Sequence, residues 1–123
     1  MGKEPDDIAH DLRQHRKPMA DQLIIVAALF IHPGHEAEFE RFESAAASIM
    51  RRYGGRIERR IGCTASANAE QPHEVHIVAF PDEASFARYR ADADLQALAD
   101  LRTGAIRHTT VWMGKELSSF VEG

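Results

Sequence analysis

Histidine is the residue type this chain uses most unusually, with seven in 123 residues. His10 and His15 fall in a polar leading stretch, whereas His32, His35, His73, His76 and His108 stand at the ends of apolar segments. An imidazole titrates close to neutrality, so any of these can act as acid or base. Together with the single thiol, Cys63, they are also the side chains that ligate zinc, copper, iron or nickel. Two His-x-x-His pairs, His32/His35 and His73/His76, raise the expectation of a transition-metal site built on His32, His35 and His73. Against it, neither pair has the four-residue spacing that puts two ligands on one helix face. Strand alternation sends neighbours to opposite faces, and solvated histidine is the competing reading. A second grouping lies near the end of the chain. Ile106, His108, Thr110 and Trp112 alternate, which puts an imidazole, a hydroxyl and an indole on one strand face. That mixture suits an organic-ligand pocket, with His108 or His76 as acid or base and Trp112 and Thr110 as wall. The competing reading has Trp112 filling the core and His108 bonded to backbone. Arg56 and Arg60 could grip a carboxylate or simply be solvated. Nothing near Cys63 in sequence would activate it as a nucleophile. There is no glycine-rich phosphate loop, no serine elbow and no Cys-x-x-Cys pair.

These residues need elements to hold them, and the strongest is Leu23–Ile31. Its nine residues carry no charge and no turn former. Leu23, Ile25, Ala27, Leu29 and Ile31 would line one face of a strand, and Ile24, Val26, Ala28 and Phe30 the other. Both faces are apolar, as in a central strand covered on both sides. After His32-Pro33-Gly34, the spacing of Phe39, Phe42, Ala46, Ile49, Met50 and Tyr53 predicts a helix. Glutamates lead it, arginines end it, and Gly54-Gly55 closes it. Arg56–Ile61 alternates as an edge strand, with Ile57, Arg59 and Ile61 on one side and Arg56, Glu58 and Arg60 on the other. Thr64–Pro72 is a loop. Glu74–Phe80 is a second buried strand. Asp82 caps a helix through Phe86 and Tyr89, and Asp92 or Asp94 starts a second piece through Leu95, Leu98 and Leu101, closed by Thr103-Gly104. Ile106–Met113 is the last strand.

The order β-α-β-β-α-β is that of a ferredoxin-like α+β domain, a four-stranded antiparallel sheet with its helices on one face. The inferred strand order 4-1-3-2 brings the five histidines and Cys63 toward one end of the sheet. It also leaves an apolar sheet face uncovered in a single chain, which points to a homodimer with two sheets face to face. The expected organisation is a polar arm over 1–20, a domain over 21–114 and a tail over 115–123. A 44% apolar and 28% charged composition is that of a soluble globular protein. The net charge of −4 argues against a nucleic-acid partner. No apolar run approaches the ~20 residues of a membrane span. A lone cysteine and the absence of an apolar leader suit the cytoplasm.

The run Ala79-Phe80-Pro81-Asp82-Glu83-Ala84-Ser85-Phe86-Ala87-Arg88-Tyr89, the piece Asp94-Leu95-Gln96-Ala97-Leu98-Ala99-Asp100-Leu101-Arg102 and the helix end Arg52-Tyr53-Gly54-Gly55-Arg56 resemble the dimeric α+β barrel superfamily. Within it, they are similar to a family of small bacterial proteins of unknown function. Leu95 stands where that family often has Tyr. The resemblance covers about residues 22–114. It implies the dimeric barrel fold and, among its activities, cofactor-independent monooxygenases, haem-degrading enzymes and lactone isomerases. It transfers no catalytic residue. Three readings follow. The first is a small-molecule enzyme, oxygenase- or isomerase-like and without a cofactor, using His76 or His108. The second is a non-catalytic ligand-binding or stress-associated module. The third is a histidine-cluster metal protein.

Overall fold

The structure is a computed structural model and describes residues 21–64 and 70–120. The expected arm over 1–20 and most of the Thr64–Pro72 loop lie outside the described residues. Strand β1 (Leu23–Ile31) pairs antiparallel with β3 (Glu74–Phe80) on one side and β4 (Ile106–Gly114) on the other, and β2 (Arg56–Gly62) flanks β3. The order β2-β3-β1-β4 is the one anticipated, with the doubly apolar strand at the centre. All three pairings are antiparallel, and the fold is ferredoxin-like.

Helix α1 (Glu36–Arg51) follows β1 and buries Phe39, Phe42, Ala46, Ile49 and Met50, a stripe at three- and four-residue spacing. Its end is set by Gly54, at φ +76, a conformation open to glycine and strained for other residues. The next glycine packs against the sheet: a Cβ on Gly55 would lie 2.4 Å from the Phe80 ring. Helix α2 (Glu83–Arg90) starts where Asp82 accepts a 2.8 Å hydrogen bond from the Ser85 amide. Asp92, rather than Asp94, caps the next turn, α3 (Ala93–Gln96), through bonds from the Asp94 and Leu95 amides. Arg52 and Tyr53 at the end of α1 reach the same carboxylate, the Tyr53 hydroxyl donating at 2.5 Å. The short helix α4 (Ala99–Ala105) continues through Thr103-Gly104, where the sequence suggested a stop. The Thr103 hydroxyl donates to the Ala99 carbonyl, and the fully buried Ala105 leads straight into β4.

All four helices lie on one face of the sheet. Two apolar clusters form there, one around Leu29, Ile31, Phe39, Phe42 and Ile106, the other around Leu23, Ile25, Met50, Val78 and Phe80. Phe39 and Phe80 are completely enclosed. Burial of each stabilises the fold by about 1.5–3 kcal/mol.

Two bulges change the alternation read from sequence. In β4, Ile31 pairs with Ile106 but Phe30 with His108, so Arg107 is an extra residue. Ile106 therefore joins the helix-side core, while His108, Thr110 and Trp112 share the opposite face. In β2, the shift between Ile57 and Arg59 makes Glu58 the extra residue. Ile57 and Arg60 consequently share the helix side, and Arg56, Arg59 and Ile61 the other. A strict period of two cannot register an inserted residue, which is why the sequence reading grouped these side chains differently.

Candidate active site

Between the helix-side face of the sheet and helices α1–α4 lies a cleft of about 580 Å³, within the range of small-molecule sites. Its floor is apolar, from Ile25, Leu29 and Val78 of the sheet. Phe42, Phe86 and Tyr89 supply aromatic walls. The outer edge of β4 adds Val111 and Met113, both more than 40% exposed where the cleft opens. His76 and Glu43 are the titratable groups set deepest in this wall.

His76 is 2% exposed. It occupies the helix-side position of β3 opposite Ala27 of β1 and Arg60 of β2, so two neighbouring strands fix its backbone. Its Nε2 lies 2.9 Å from Oε1 of Glu74, two residues earlier on the same strand face. Arg60 grips that carboxylate in a fork, with Nε donating to Oε1 at 3.0 Å and Nη2 to Oε2 at 2.9 Å. The same Nη2 donates to Glu40 of α1 at 2.7 Å. Burial raises the Glu74 pKa, but the Arg60 and His76 hydrogen bonds together outweigh it and hold the carboxyl below its ordinary value. An ionised carboxylate only accepts, so Nε2 carries a proton, and in the neutral form of the ring the lone pair lies at Nδ1. This is the logic of a carboxylate-oriented histidine base.

Facing Nδ1 at 3.8 Å is Oε2 of Glu43 on α1. Burial pushes the Glu43 carboxyl above its ordinary value, opposed by His76 and reinforced by Glu74. Tyr89, also in the wall, is pushed up to about 12, chiefly by burial and then by Glu43, so its phenol stays a neutral donor. The cleft thus presents an oriented imidazole nitrogen, a carboxyl inclined to hold its proton and a phenolic O–H, all on an apolar surface.

Of the residues singled out from sequence, His76 is the one in this wall. Arg60 stands behind it and holds Glu74 rather than a ligand. His108, Thr110 and Trp112 do gather on one face, with His108 Nε2 3.0 Å from the Thr110 hydroxyl, but it is the face away from the helices. Trp112 is 57% exposed and does not fill the core. Arg56 contacts Gln22 and Glu58. His73 and Cys63 meet at the expected end of the sheet through a backbone bond. There the His73 Nδ1 accepts from the Ile31 amide at 3.1 Å, which uses the lone pair a metal would need. His32 and His35 stack edge to face, 5.9 Å apart. Among the described residues, no three His, Cys, Asp or Glu side chains come close enough to hold a metal ion, so His32, His35 and His73 are not brought together as a ligand set. Glu43, Glu74 and Tyr89 were missed. The signals were present: Glu43 sits at i+4 from Phe39 within the apolar stripe, and Glu74-x-His76 is the spacing that puts two side chains on one strand face.

Residues 24–115 match the family described as "Domain of unknown function (DUF1330)". The chain belongs to this family. No curated protein matches it in sequence. Among solved structures it is similar to a Rhodopseudomonas palustris protein of unknown function, at 12% identity and TM-score 0.70, covering 95% of this chain and 97% of that one. SnoaB, a cofactor-independent oxygenase from Streptomyces nogalater, is 20% identical with TM-score 0.63, covering 84% of this chain and all of SnoaB. A dabb-family protein with a ferredoxin-like fold from Mesorhizobium loti is 18% identical with TM-score 0.59, over 79% and 98% of the two chains. At such identities the shared property is the fold. Among the described residues, no helix of this family member is long and apolar enough to cross a membrane.

Proposed function

We propose that this DUF1330 protein is a small-molecule enzyme that removes a proton from an apolar organic substrate held between sheet and helices, with His76 as the base. The observation that carries this reading is the buried His76, oriented by an Arg60-clamped Glu74, in the wall of an apolar cleft of substrate size. Proton abstraction is the first event both of an isomerisation and of an oxygenation in which the substrate carbanion itself reduces dioxygen. No cofactor is required for either, and the fold is shared with a cofactor-independent oxygenase. Glu43, facing His76, is placed to return the proton.

The working unit in this reading is a homodimer with the open sheet faces packed together. Ile24, Val26, Val75 and Ile77 are only half-buried there, and Ile61 and Trp112 are exposed. Leu117 and Phe120 of the tail are fully exposed as well. Apolar surface of that extent marks an interface.

The test is deuterium exchange at the activated CH₂ of 2-tetralone in D₂O, followed by mass spectrometry. The wild type should exceed the buffer rate, His76→Gln should lose about a hundredfold or more of the excess, and His108→Ala should keep it. Binding without any catalysed exchange would instead assign a non-catalytic ligand module.

A further inference from the structure

The charged groups of the cleft are unequally distributed between its depth and its mouth. Below lie His76 and Glu43 with the apolar and aromatic walls. At the opening stand Arg90, Gln96 and Arg102, all exposed, on α2, α3 and α4. Arg52 and Arg60, outside the cleft lining, are committed to carboxylates, Arg52 to Asp92 and Asp94, Arg60 to Glu40 and Glu74. The two at the mouth are not paired with a described carboxylate. The Arg102 Nη2 donates to the neutral Thr109 hydroxyl at 3.3 Å. Arg90 lies with its guanidinium 5.6 Å from the centre of the Phe86 ring, itself a wall of the cleft. Gln96 is occupied by the Arg90 carbonyl, and that bond ties the turn of α3 to the end of α2. Arg102 thus retains donors of a planar fork suited to a carboxylate or phenolate. Arg102 lines the same cleft as Glu43 and Tyr89.

We infer that the cleft takes an amphipathic organic anion, a flat aromatic body seated on Phe42, Phe86 and Tyr89 with its carboxylate or phenolate held at the mouth by Arg102. This rests on the assignment of the cleft as the substrate site and adds the charge class of the ligand and the residue that selects it. The net charge of the protein is −4, so attraction of an anion depends on this local cationic rim rather than on the overall field. A ligand anchored by its charged end at the rim would extend its ring system inward to His76. Arg102 is therefore a binding residue and takes no part in proton transfer.

The experiment is calorimetric titration of the full chain with 2-naphthoate and with 2-naphthamide, matched in shape and differing in charge. The wild type should bind the acid at least tenfold more tightly than the amide. Arg102→Gln should bring the acid to within twofold of the amide while leaving amide affinity unchanged, which also shows that the variant is folded. Arg102→Lys should retain part of the preference, and His108→Ala, on the opposite sheet face, all of it. Equal binding of acid and amide by the wild type, or a preference that survives Arg102→Gln, overturns the anion assignment but leaves the cleft as a ligand site. If neither compound binds at millimolar concentration, both the anion assignment and the cleft reading fall.

Discussion

The two faces of this sheet are built from the same kinds of strand residue and differ in what lies against them. On the helix side, Phe39 and Phe80 are sealed, and the Arg60–Glu74–His76 chain sets its polar groups in hydrogen bonds. On the open side, Trp112 and Ile61 face outward, and the polar groups His108 and Thr110 satisfy one another at the rim. An imidazole is present on each face, yet only His76 combines burial, an ionised partner and a cleft. A histidine becomes a candidate base through what surrounds it, and the sequence position alone carries little of that information.

The comparison is broken most strongly by emptying the covered face. Phe80→Ala removes a fully enclosed ring that packs against Gly55, Phe86 and Tyr89. It should lower stability by about 3–5 kcal/mol, read as a shift of the urea midpoint at constant slope. Trp112→Ala on the open face should behave differently. More than half of its surface is exposed within one chain, so the stability of an isolated subunit should fall by much less than for Phe80→Ala, about 1 kcal/mol. In the proposed face-to-face dimer Trp112 would be buried, and its removal should then weaken association by about 2 kcal/mol or more. Sedimentation velocity across a concentration series separates the two. If Trp112→Ala leaves the association constant as it was, the open face is not the interface.

Much of this architecture was legible before any coordinates. The unbroken apolar run of β1, the Phe39-to-Tyr53 stripe and the Asp82 cap are local signals, and each became the element it implied. Strand order followed because short antiparallel and right-handed crossover connections leave few alternatives. The site was legible only in part. His76 was recognised as a candidate beside His108, and strict alternation rightly grouped His108 with Thr110 and Trp112 but wrongly added Ile106 to their face. The extra residue Arg107, whose guanidinium lies 5.1 Å from the centre of the Phe30 ring, is invisible to periodicity. The metal reading failed to find its geometry for a similar reason. Sharing one end of a sheet does not bring side chains within ligand distance, and His73 turns its Nδ1 to the Ile31 amide. Arg60 was read as an edge-strand arginine that could grip a carboxylate or be solvated; the Glu58 bulge puts it on the helix side, where it holds Glu74 and Glu40.

The smallest effect concerns the polar group that the covered face tolerates least well. Glu43 is buried beside His76, and its carboxyl is held above the ordinary value of 4.5, first by burial. A carboxyl whose pKa is higher folded than unfolded binds protons more tightly in the folded state. Its contribution is fully present below the unfolded pKa and is lost as pH rises through the folded pKa. Glu74 has the opposite sign: its folded pKa is lowered, so its contribution is present at neutral pH and is lost as pH falls through the folded value. Glu43→Gln keeps the shape and removes the titration. Above pH 4.5 the variant should therefore gain stability relative to wild type, the difference growing with pH until Glu43 is ionised and then levelling. Paired urea melts at pH 4, 5.5 and 7 measure this. A difference that does not change across that range would mean that Glu43 is as well solvated folded as unfolded. The face beneath the helices would then impose no electrostatic cost on its buried acid, and the contrast with the open face would reduce to packing alone.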